Sequence, residues 1–60
     1  MELTVRSLTD WADAGAHWRV LRLEPERALV ELCTCLGEPE ARVTTEDPEV
    51  IAFLRGRPTA

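Results

Sequence analysis

Sixty residues, 45% hydrophobic and 30% charged, suffice for one small folded domain (residues 1–60) and leave no room for a second. Seven arginines, no lysine and 11 carboxylates give a net charge of −4, which argues against a general nucleic-acid binder and against a polybasic membrane-surface module. No apolar run approaches the roughly 20 residues that span a bilayer, and the opening MELTVRSLTDW lacks the basic and apolar regions of a secretory signal, so a cytoplasmic protein is expected.

Residues 2–6 alternate, with Leu3 and Val5 on one side and Thr4 and Arg6 on the other, which predicts a short strand. Residues 7–15 fit two patterns. As a helix, Ser7 is the N-cap, Leu8, Trp11 and Ala12 form an apolar stripe, and Gly15 follows the C-terminus. As a hairpin, Asp13-Ala14-Gly15 is a three-residue loop with glycine in the left-handed position. The hairpin is preferred, because a helix of under two turns has little to hold it.

The stretch HWRVLRL from His17 predicts a strand, Glu24–Arg27 a turn around Pro25, and ALVELCTCL from Ala28 to Leu36 a second strand. Gly37-Glu38-Pro39-Glu40 is a further turn, and Ala41 to Thr45 a third strand. Asp47-Pro48-Glu49 has the N-cap, first-turn proline and early acid of a helix start. Val50, Ile51, Phe53 and Leu54 follow at helical spacing, and Gly56 suits the end, so residues 48–55 are read as an amphipathic helix and residues 57–60 as a frayed tail. The expected fold is therefore α+β: an antiparallel meander of three to four strands with the C-terminal helix packed on one face. The segment VTTEDPEVIAFL resembles a strand-to-helix stretch of small sulfur-carrier proteins, but the C-P-x-P motif of that family is absent and the resemblance carries no function here.

A loop across Pro25-Glu26 sets Leu23 opposite Ala28, Leu21 opposite Val30 and Trp18 opposite Cys33. Leu21, Leu23, Ala28, Val30, Leu32, Leu36 and Val43 then form the core face. The other face carries Trp18, Val20, Arg22, Leu29, Glu31, Cys33, Cys35 and Arg42, with Thr44 beside them. It is too apolar for an ordinary wet face and becomes the candidate interaction surface. A one-residue slip would exchange the two sides of a strand.

Cys33 and Cys35 form a C-x-C pair, and His17 is the sole further soft ligand. A structural zinc needs four ligands, usually with two to four residues between the cysteines, so no metal site and no cofactor are expected; were a metal bound, Cys33, Cys35 and His17 would hold it. The pair is read as two small apolar residues on a half-buried strand. His17 has no Ser, Cys or carboxylate at catalytic spacing, and no carboxylate pair is placed for acid–base work. Without a phosphate loop or a nucleophile elbow, an enzyme is not expected. The reading is a non-enzymatic protein-interaction or regulatory module, with a second copy or a larger protein as partner and neither nucleic acid nor membrane. A thiol-dependent or metal-binding protein using Cys33 and Cys35, and an acidic nucleic-acid mimic, are the alternatives.

Overall fold

The computed structural model describes residues 3–56, so the expected tail at 57–60 and Glu2, the first residue of the expected N-terminal strand, lie outside the described residues. The elements run α1 (Val5–Asp13), β1 (His17–Leu23), β2 (Ala28–Cys33), β3 (Pro39–Thr45) and α2 (Pro48–Gly56). The three strands form one antiparallel sheet in the order β1-β2-β3. The α+β class and the meander are as expected, with three strands.

The N-terminal segment is a helix, neither strand nor hairpin. Thr4 is its N-cap, one turn ahead of the expected Ser7. The Thr4 hydroxyl accepts from the Ser7 amide (3.0 Å) and the Ser7 hydroxyl accepts from the Thr4 amide (2.8 Å), a reciprocal capping box. Leu3 and Leu8 occupy the two positions of a hydrophobic staple, and both are buried in one cluster. From Thr4 onward Val5, Leu8, Trp11 and Ala12 recur at helical spacing and join that cluster, while Arg6 and Asp10 pair on the wet side. The Leu3/Val5 alternation is the last apolar turn of the approach and the first of the helix. Gly15, at φ +91°, ends the element in a backbone region that disfavours side chains.

The β1–β2 turn sets Leu23 opposite Ala28 and Arg22 opposite Leu29, as the sequence suggests, and then the register changes. A bulge at Leu21 brings Val20 opposite Val30 and Trp18 opposite Leu32. Trp18 and Val20 therefore sit on the core face, and Leu21 is half exposed. Trp18 is 2% exposed. An indole buries more apolar surface than a leucine, so one unpaired residue in the ladder exchanges a smaller buried group for a larger one. Of the expected core face, Ala28, Val30 and Leu32 are buried and Val43 is partly buried, whereas Leu21, Leu23 and Leu36 are exposed.

The second turn begins three residues early. The Thr34 hydroxyl accepts from the amides of Leu36 (3.3 Å) and Glu38 (3.2 Å), and Gly37 turns the chain at φ +83°. Strand β2 thus ends at Cys33, and Cys35 and Leu36 lie in the turn, with Leu36 82% exposed.

Helix α2 begins at Pro48. Asp47 Oδ1 accepts from the Glu49 amide at 2.9 Å, which serves one of the amides a helix start leaves unpaired. Val50, Ile51 and Leu54 are buried in the cluster that holds Trp18, Ala28, Val30 and Leu32, and Phe53 lies 6.0 Å from Trp18 between ring centres. Asp47→Ala should cost about 1 kcal/mol through the lost cap. Urea denaturation checks it, and an unchanged midpoint would show that the cap adds nothing.

Candidate interaction face

The bulge leaves the second sheet face built around one buried acid. Cross-strand pairing sets Arg19, Glu31 and Arg42 in a single row over the three strands. Arg19 Nε donates to Glu31 Oε1 at 2.7 Å, with its Nη2 on the same oxygen, and Arg42 Nε donates to Oε2 at 3.2 Å. Glu31 is 1% exposed, while the two arginines that bind it remain half or more exposed. A carboxylate held in this way is satisfied on both oxygens, which is the condition for burying it at all.

The hydrogen bond from Arg19 is the main force holding the Glu31 carboxyl below the ordinary range. Burial opposes it, and Arg42 adds to it. Arg19 is correspondingly raised by the hydrogen bond to Glu31 and the attraction of its charge. A carboxyl that loses protons more readily when folded stabilises the fold fully above the pKa of an unfolded glutamate. That contribution fades as pH falls through the unfolded value and then the lower folded one. Acid titration of urea midpoints should therefore show a steeper loss for the wild type than for Glu31→Gln, and parallel curves would contradict the clamp.

Around this row the face carries Leu29, partly buried, and the exposed Arg22 and Thr44. A shallow groove lined by Arg22, Glu24, Arg27, Leu29 and Thr44 opens at the β1–β2 turn. Of the residues expected on this surface, Arg22, Leu29, Glu31, Cys33 and Arg42 share the face. Trp18 and Val20 are on the opposite side because of the bulge, and Cys35 has left the strand for the turn. Arg19 takes their place. It was hidden in the sequence because regular alternation puts it with the core residues.

Regular alternation through Leu21 would put His17 on the core face, away from Cys33, whereas it stands directly opposite Cys33. Cys33 is buried near Glu31, with Sγ 3.8 Å from Oε1, while Cys35 is exposed, and both thiols are free. Among the described residues no group of three His, Cys, Asp or Glu side chains is arranged to hold a metal ion. Trp11, whose Nε1 donates to the carbonyls of His17 (2.7 Å) and Cys33 (3.0 Å), ties α1 to the end of the sheet where these residues lie.

No protein-family description, curated protein or solved structure matches this chain. Among the described residues, no helix is long and apolar enough to cross a membrane. The face itself is thus the source of any functional reading.

Proposed function

We propose that the chain is a small non-enzymatic interaction module of the cytoplasm that docks on a second copy or a larger protein through the sheet face bearing Arg19, Leu29, Glu31 and Arg42. The observation that carries this reading is the clamp. Both oxygens of a buried glutamate are engaged by two arginines, on the face opposite the buried cluster that takes up both helices. Such a clamp fixes the guanidinium groups of Arg19 and Arg42 in place while leaving part of each available to an incoming acceptor. Pre-positioned arginines beside the half-buried Leu29 suit an interface, since little side-chain freedom is left to lose on docking.

A photo-crosslinking residue at Leu29 tests the reading against one at Ala52, on the exposed side of α2. The Leu29 probe should give a discrete adduct in cells, lost on Arg22→Glu with the circular dichroism unchanged. Equal, diffuse labelling from both positions would sink the docking face.

A further inference from the structure

We propose that two copies of this chain pair through the free edge of β3, antiparallel about a two-fold axis at Ala41, to make one six-stranded sheet. The contact uses a strand edge and is independent of what docks on the face.

The sheet has two edges, and they are unequal. Strand β1 is broken in its middle by the Leu21 bulge, and both helices lean on it. Strand β3 is exposed at five of its seven residues, and its ladder with β2 is regular from Ala41 to Thr45, its irregularity at Glu40 lying near the start of the strand and not in its middle. Among the described residues no strand pairs with its outer side. A regular open edge of this kind is a template for another strand.

Charge selects the register. In a two-fold antiparallel pair, residues on either side of the axis face each other's counterparts. With the axis at Arg42, two arginines meet head on. With the axis at Val43, Glu40 meets Glu46 of the other copy on both sides. With the axis at Ala41, Glu40 meets Arg42 of the other copy, twice. An axis at Thr44 pairs Arg42 with Glu46, which lies beyond the strand, and leaves Glu40 unmatched; only the axis at Ala41 turns both charged residues of β3 into attractive cross-strand pairs.

The same arrangement continues what the monomer has begun. The row Arg19, Glu31, Arg42 alternates in sign across three strands. Glu40 of the second copy is the next member, and the row mirrors itself beyond the axis. Arg42 spends its Nε on Glu31 and is otherwise largely exposed, which leaves solvent-facing N–H groups for a further acceptor. Glu40 falls where the β2–β3 register shifts, so no β2 residue stands opposite it. Pro39, with no N–H to donate, ends the shared ladder.

Ala41 would lie about 5 Å from its own copy between Cα atoms, within disulfide reach, whereas Thr44, three residues off the axis, would lie roughly 20 Å from its copy. The test is sedimentation of the wild type at ~100 μM, where even a micromolar contact forms, with A41C and T44C each in a Cys35→Ser background under mild oxidation. The wild type should be a dimer, and A41C should form a covalent dimer while T44C does not. Glu40→Arg, at an exposed position, should weaken association about tenfold or more, since both attractive pairs become repulsive. A monomeric wild type, crosslinking of T44C as fast as A41C, or an undiminished dimer in Glu40→Arg would each overturn the pairing. None of these results bears on the Leu29 adduct, which reports the face alone.

Discussion

Trp18→Glu should unfold the protein. Trp18 is buried against Phe53 and stands opposite Leu32 at the centre of the sheet's covered side. Truncating a buried tryptophan costs about 3–5 kcal/mol through lost burial and the cavity left behind, and a glutamate puts a carboxylate into the apolar cluster that Trp18 occupies. A core in a chain this short rarely supplies more than about 3–5 kcal/mol of net stability, and a loss of this size consumes it. Far-ultraviolet circular dichroism of the purified variant is the check. A folded Trp18→Glu monomer would mean that the indole faces solvent or a partner, and the bulge at Leu21 would then be wrong. Trp18→Phe sharpens the test. The Trp18 indole N–H is buried without a hydrogen-bond partner among the described residues. Phenylalanine removes that unmet donor along with some buried area, so this variant should lose much less than an alanine does.

The register on which this prediction depends shows where the sequence is legible and where it is not. Turn chemistry is local, and it was readable at Pro25, where the loop length fixes Leu23 opposite Ala28 and Arg22 opposite Leu29. It was readable again at Asp47-Pro48, where cap, proline and acid coincide. The bulge is not local. Nothing in WRVLRL marks Leu21 as the extra residue; it is extra because Trp18 and Val20 gain more by lying over Val30 and Leu32 than a regular strand would allow. Its consequence is a change of face for His17, Trp18, Arg19 and Val20 together, which is why Arg19 was missed and Trp18 misplaced in the candidate site. Thr34 is a middle case. Its hydroxyl closes the turn early, a signal present in the sequence but masked by the apolar Cys35-Leu36 that follows. Glu31 and Arg42 kept their common face throughout, because β2 and β3 pair without a slip between Ala28 and Leu32.

Leu8→Ala should be nearly as damaging as Trp18→Glu, and it bears on the element that alternation most obscured. Leu8 is fully buried in the cluster shared by both helices and the sheet. Large-to-small changes at such sites cost about 2–5 kcal/mol, again comparable with the domain's entire stability. The position does more than fill space. Leu8 is the inner half of the staple whose outer half is Leu3, and it follows directly on the Thr4–Ser7 box. A nine-residue helix cannot stand alone in water, so α1 persists because Leu8, its fully buried side chain, anchors it to the core with Val5, Trp11 and Ala12 packed beside it, while Trp11 ties its far end to the carbonyls of His17 and Cys33. In the folded population that remains without denaturant, α1 should open first, with amide exchange faster over residues 5–13 than over β2. Thr9→Ala, on the exposed side of the same helix, should leave the core intact and shift the midpoint by about 0.5 kcal/mol or less. If Leu8→Ala and Thr9→Ala prove equally mild, residues 5–13 do not form a helix docked through Leu8, and the strand or hairpin reading of this segment would have to be reopened.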